Sequence, residues 1–226
     1  MIEGVIRRRH LLIGMAALPL VAGCTGMGGM ASMDEAIRRL LMLSTQRAFA
    51  RLAAQDGFFG DAVLRIGVPE RLASNQAGGV LQRLLRTPVV QGQLLRLVND
   101  AAWDAAERTT PILYDSIRRM SFGDAIGIVR GGPQAATDYL ERSVGDRIVD
   151  ALFPEVGGAL RELDGGVLGQ LLGAATGVDF TGIQRDVSGS AARAIWSAIG
   201  REEAGIRADP RSTGDPVLES VFGLIR

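Results

Sequence analysis

The stretch Thr87-Pro88-Val89-Val90-Gln91-Gly92-Gln93-Leu94-Leu95-Arg96-Leu97-Val98-Asn99-Asp100-Ala101-Ala102-Trp103-Asp104-Ala105 sets the fold class. Threonine followed by proline is a helix start, because the ring fixes a helical φ where the missing N–H would have had no partner. From there Val90, Leu94, Leu97, Val98, Ala101 and Ala105 recur at helical spacing and form one apolar stripe. Arg96, Asp100 and Asp104 mark the wet side, and Asp104 stands four residues before Arg108, a favourable pairing.

The same reading extends in both directions. Thr110-Pro111 repeats the start and predicts a new helix as far as Met120; Ser121 is expected to cap the next segment, which ends at Gly131-Gly132. Pro133 and Pro154 each open another, the latter closing near Gly165. On the N-terminal side, Ser32-Met33-Asp34-Glu35 is a capping box. Ile37, Leu40, Leu41, Ala48 and Leu52 follow on one face, with Gly57 as a stop. Gly60 to Val68 reads as an irregular crossing before a helix opened by Pro69, broken at Gly78-Gly79 and resumed over Val80 to Arg86. On the C-terminal side Ala191, Ile195, Ala198, Ile199 and Ile206 share a face, Asp209-Pro210 ends it, and a short helix runs from Pro216 to Phe222. No segment alternates as a strand would. The expectation is an all-α, single-domain multi-helix bundle.

Ahead of the bundle, Arg7, Arg8 and Arg9 precede an apolar run from Leu11 to Val21, too short to span a membrane, and then Val21-Ala22-Gly23-Cys24. Small residues before the only cysteine resemble a bacterial lipoprotein lipobox, in which the cysteine is acylated and becomes the new N-terminus. The expected organisation is a signal peptide over 1–23, a lipidated Cys24 with a Gly/Met-rich tether over 24–31, and the helical domain over 32–226. Within that domain, 164–186 reads as a Gly-rich insertion or linker. Gly165, Gly169, Gly173 and Gly177 recur every four residues there; they suit either a mobile linker or a close-packing glycine face. Arg8-Arg9-His10-Leu11-Leu12 faintly resembles a twin-arginine motif and equally suits ordinary leader charge. Thr25 after the cysteine, where lipoproteins kept in the inner membrane carry Asp, points to the outer membrane, with the domain facing the periplasm.

Composition then removes chemistries. Every one of the 25 basic residues is Arg, and His10 is the one histidine. Removing the leader takes three of the 25 arginines, one of the 25 acids and His10, leaving about −2 in formal charge. Such near-neutrality argues against nucleic acid as a partner. Without His, Lys or a spare Cys in the mature chain, Ser-His-Asp, Cys-His and Schiff-base mechanisms and ordinary zinc sites are excluded. No cofactor or metal is expected.

Six polar residues are candidates for binding or structural roles. Asn99 lies between the main stripe and a seam of Leu95, Ala102 and Ala106, where it either bonds neighbouring backbone or holds a ligand. Asp124 either caps a helix or serves as a base or cation ligand. Thr137 and Tyr139 follow Pro133, and a phenol buried in a bundle seeks one hydrogen-bond partner. Glu202, between Ala198 and Ile206 on the apolar stripe, is either a general acid or half of an internal ion pair with an arginine from another helix. Arg207 is placed to pair with Glu203 four residues earlier.

Gly57-Phe58, Ile66-Gly67-Val68-Pro69-Glu70, Asn99-Asp100-Ala101-Ala102 and Met120-Ser121-Phe122-Gly123-Asp124-Ala125 resemble the domain of unknown function 4197 family. So do Gly131-Gly132 with Ala136-Thr137-Asp138-Tyr139, Glu202-Glu203-Ala204-Gly205-Ile206-Arg207 with Pro210, and Val221-Phe222-Gly223. The similarity covers nearly all of the chain from Ser32 onward; the glycine repeat lies where the family varies. The resemblance implies an exported helical protein, often a lipoprotein, and supplies no reaction and no catalytic residues. The expected function is a membrane-anchored envelope lipoprotein with a non-enzymatic binding or scaffold domain and an envelope protein as partner. The alternatives are a carrier of lipid or a small apolar ligand, and a carboxylate-based glycan hydrolase.

Overall fold

The computed structural model describes residues 27–52, 60, 64–67, 83, 87–162 and 179–224. Seven α-helices account for most of these: α1 (Met27–Leu52), α2 (Pro88–Arg119), α3 (Ala125–Arg130), α4 (Ala135–Val144), α5 (Arg147–Glu162), α6 (Phe180–Ala208) and α7 (Pro216–Phe222). A 3-10 turn, Pro210–Thr213, joins the last two, and no strand occurs among the described residues. The chain is all-α. No helix among the described residues is long and apolar enough to cross a membrane.

The apolar stripes meet as their spacing requires. Ile37, Leu40, Leu41, Ala48 and Leu52 of α1 are buried, as are Ala191, Ile195, Ala198, Ile199 and Ile206 of α6, and these two helices pack along each other. Leu94, Val98, Ala101 and Ala105 of α2 are buried too, and α2 packs on α5 through Ile148, Leu152 and Val156. α5 in turn packs on α6, so the four long helices surround one continuous core. Each fully buried Leu or Ile there contributes about 1.5–3 kcal/mol relative to exposure. The short α3 and α4 lie against α1, α4 also touches α6, and α7 closes on α1.

Several expected helix starts are corrected. α2 runs unbroken through Pro111, and α5 runs through Pro154, each where a new helix was expected. A proline costs its helix one hydrogen bond, to the carbonyl four residues back. Pro111 with Glu107, and Pro154 with Asp150, are exposed, so water can solvate the freed carbonyls. Thr110 does not cap a new helix; its hydroxyl bonds Ala106 O at 3.2 Å, as that of Thr109 does at 2.9 Å. α1 begins at Met27, so Ser32 is inside a helix rather than at its cap, and the 24–31 segment is helical from Met27. Thr87 precedes Pro88 as expected, but its hydroxyl makes no capping bond. Asp124, not Ser121, caps α3, accepting from Gly127 N at 2.8 Å. α6 starts at Phe180, capped by Asp179 through Gly182 N at 2.8 Å, so 180–186 belongs to a helix rather than to a linker.

The crossing read at Gly60 to Val68 is irregular over 64–67, and α6 and α7 end and begin where Asp209-Pro210 and Pro216 place them. The leader, Cys24, the helices expected between Pro69 and Arg86 apart from Arg83, which is helical, and the glycine repeat from Gly165 to Gly177 lie outside the described residues.

Candidate functional site

The most highly organised polar site is built on the last turns of α6. Glu203 is completely buried, and Arg207, one turn on, donates its Nε–H to Glu203 Oε1 at 2.7 Å. The carboxylate also accepts from the first turn of α4: Ala136 N at 3.0 Å, Thr137 N at 2.7 Å and the Thr137 hydroxyl at 2.6 Å. Helix N-termini leave such N–H groups without intrahelical partners, and here a side chain from another helix satisfies them. The guanidinium does the converse for α3. Its Nη1 and Nη2 donate to Val129 O at 2.9 Å and Ile128 O at 3.0 Å, carbonyls of that helix's last turn. The anion thus meets the positive end of one helix dipole and the cation the negative end of another. Arg207 also lies over the Phe222 ring, 4.8 Å from its centroid, which brings α7 into the cluster.

This geometry leaves Glu203 little capacity for chemistry. A carboxylate has about four lone-pair sites, and the four donors named above occupy them. A base so saturated cannot take a proton from a substrate without dismantling a helix end.

The other candidates are tied down separately. Asn99 bonds backbone: its Oδ1 accepts from Ile66 N at 2.9 Å, and its Nδ2 donates to Ile66 O at 3.0 Å and Leu95 O at 2.6 Å. It pairs with both polar groups of Ile66, as a strand neighbour would, and holds the 64–67 crossing with Leu64 and Ile66 buried. Asp124 is a cap. The Tyr139 hydroxyl donates to Ser121 O at 2.9 Å, and its ring lies 5.8 Å from that of Phe122. Glu202 pairs with Arg51 of another helix, α1, at 2.8 Å, but the arginine is 62% exposed, so the pair lies at the surface rather than inside.

Of the six candidates, only Thr137 and Arg207 share a partner, and it is Glu203. Its pairing with Arg207 is the one the i,i+4 spacing gave; what the spacing did not give is that Glu203, rather than Glu202, takes the buried position. A signal was there: Ile199, Glu203 and Ile206 follow helical spacing as well as Ala198, Glu202 and Ile206 do, and burial falls on Glu203. Arg38 of α1 was also missed. Its Nη2 donates to Met120 O at 3.1 Å beyond the end of α2, and it lies 5.7 Å from the centre of the Phe122 ring.

Two grooves lined by described residues open along α2. The larger, about 560 Å³, lies between its last turns and α4 and is lined by Ile112, Asp115, Arg119, Tyr139 and Arg147 among others. The smaller, about 420 Å³, includes Glu107, Tyr114 and Arg118, and burial pushes the Tyr114 phenol above its ordinary pKa. Among the described residues no group of three or more carboxylates, histidines or cysteines is placed to hold a metal.

No curated protein and no solved structure matches this chain. A family model described as "Protein of unknown function (DUF4197)" matches residues 29–223. That span takes in Asn99 and its partner Ile66, the α3–α4 connection and the Glu203–Arg207 pair with Phe222. The chain belongs to the DUF4197 family.

Proposed function

We propose that this protein is a bacterial envelope lipoprotein, anchored through a lipid on Cys24, whose helical domain is a non-enzymatic binding or scaffold module. The lipobox-like Val21-Ala22-Gly23-Cys24 and the arginine-led leader before it support the address, with Thr25 favouring the outer membrane. One observation carries the non-enzymatic reading: Glu203, the most buried carboxylate among the described residues, is saturated by donors from its own chain. Glu202, the other candidate acid, is held by Arg51. A rigid helical body on a lipid anchor suits presenting a surface to an envelope partner.

Two measurements test this reading. Metabolic labelling with a fatty acid, followed by fractionation, should place label on the wild-type protein in the outer membrane, with none on Cys24→Ser. An intact precursor in the cytosol with a free thiol would refute the anchor. Cross-linking in intact cells should recover one envelope protein, and Glu202→Gln should leave that capture unchanged; a glycan-cleaving activity lost in Glu202→Gln would refute the non-enzymatic module.

A further inference from the structure

α1 starts close to the anchoring cysteine. Its first residue is Met27, so only Thr25 and Gly26 separate the helix from Cys24. Three Cα–Cα steps span at most about 11 Å. From Met27 the helix is continuous to Leu52, and Ala36, Ile37, Leu40 and Leu41 are completely buried in the core. The start of α1 therefore moves with the bundle, and little chain is left over to serve as a loose linker.

The first two turns differ from the rest of α1. Met27-Gly28-Gly29-Met30-Ala31-Ser32-Met33 carries no charge, whereas Asp34, Glu35, Arg38 and Arg39 follow at once. At 1.5 Å per residue the uncharged stretch is about 10 Å long. One interfacial layer of a bilayer is about 5–8 Å deep, so this stretch crosses it and the charges begin where water does. Immersing the stretch desolvates no ion, and methionine gains by leaving water. Gly28 and Gly29 are poor helix formers in water, but scarce water favours hydrogen bonds kept within a helix. The packing also sets this end apart. Arg51 meets Glu202, while Arg39 meets Asp215 past the end of α6, so α1 and α6 run antiparallel. Arg185, in the first turns of α6, is thus at the opposite end of the bundle from Met27.

We propose that the first two turns of α1, Met27–Met33, stand in the lipid headgroup layer, so that a rigid helix fixes the domain's stance on the membrane, a docking that rests on the acyl anchor at Cys24. The full-length acylated protein is reconstituted in phosphatidylethanolamine–phosphatidylglycerol vesicles with a polarity-sensitive fluorophore on Ser32→Cys, Met30→Cys or Arg185→Cys. Ser32 and Arg185 are exposed, so labels there displace no core residue. Brominated lipid should quench the two α1 labels about threefold more than the α6 label, and aqueous iodide should quench them about threefold less. Equal iodide quenching at both ends of the bundle would show a linker in water and overturn the docking. Protection from iodide without quenching by brominated lipid would show a second copy or another protein covering this end, and would overturn it too. The mass of the same sample keeps the two readings apart. An unmodified Cys24 refutes the anchor, whereas an acylated protein with iodide-exposed α1 labels refutes the docking alone.

Discussion

Two Glu–Arg pairs in this molecule share a spacing and a distance but differ in surroundings. Glu35 and Arg39 on α1 stand four residues apart with Oε1 and Nε at 2.7 Å, as do Glu203 and Arg207 on α6. The first pair is open to water, its side chains 44% and 42% exposed, and it reaches α7 through Asp215 at 3.1 Å. The second is 0% and 11% exposed and caps two helices. In water an ion pair gains little, because solvent already stabilised each charge and salt screens the pair. In the interior, removing one partner leaves the other charge without compensation. The i,i+4 pattern therefore indicates which groups meet, and burial sets what the meeting contributes.

The widest separation between the pairs should come from Glu203→Ala. It strips Ala136 N, Thr137 N and Arg207 of their acceptor, and should lower unfolding free energy by about 3–5 kcal/mol in a denaturant titration. If Glu35→Ala cost as much, the contrast would collapse. Asn99→Leu tests the same principle without charge. With both polar groups of Ile66 left unpaired, a loss of about 2–3 kcal/mol is expected in the same titration. A loss below about 0.5 kcal/mol would show that water replaces the amide. Asp124→Ala removes a cap at the surface and should cost about 1 kcal/mol, read as a small shift in the denaturation midpoint.

The smallest effect belongs to the exposed pair, and it depends on pH. The hydrogen bond from Arg39 holds the Glu35 carboxyl below its ordinary value, outweighing the upward push of burial. Burial raises Asp215, but the Val217 N–H and Arg39 outweigh it, and the net shift is again downward. Carboxyls depressed in the folded state stabilise it above their ordinary values of 4.5 and 3.8, and the contribution fades as pH falls through the lower folded values. Glu35→Gln should therefore change stability by no more than about 0.5 kcal/mol near neutrality, after allowance for solvent screening. The difference from wild type should shrink further in acid, as melting curves collected across that range would show. A difference that grew in acid would reverse the assignment.

Helix faces were legible because burial repeats with the helical period; the stripes on α1 and α6, and Leu94, Val98, Ala101 and Ala105 of that on α2, are buried where their spacing put them. Breaks were less legible. Thr110-Pro111 and Pro154 look like Thr87-Pro88, and only the last is a start. A proline is tolerated within a long helix when its face looks outward, and facing is a property of the packed bundle. The candidate residues fared similarly. Asn99 could be recognised as a buried amide needing partners, but Ile66 lies 33 residues away, and nothing local names it.

From the chain alone came the class of fold, the faces that would be buried, the absence of lysine, the single histidine at His10 and single thiol at Cys24, and family membership. These depend on residue identity and on a period of 3.6, both of which are local. Folding settled which of two adjacent glutamates went inside, and that Arg207 would end one helix while Glu203 began another. Those outcomes require groups more than sixty residues apart to arrive at hydrogen-bonding distance, and such closeness is created by packing rather than by sequence spacing.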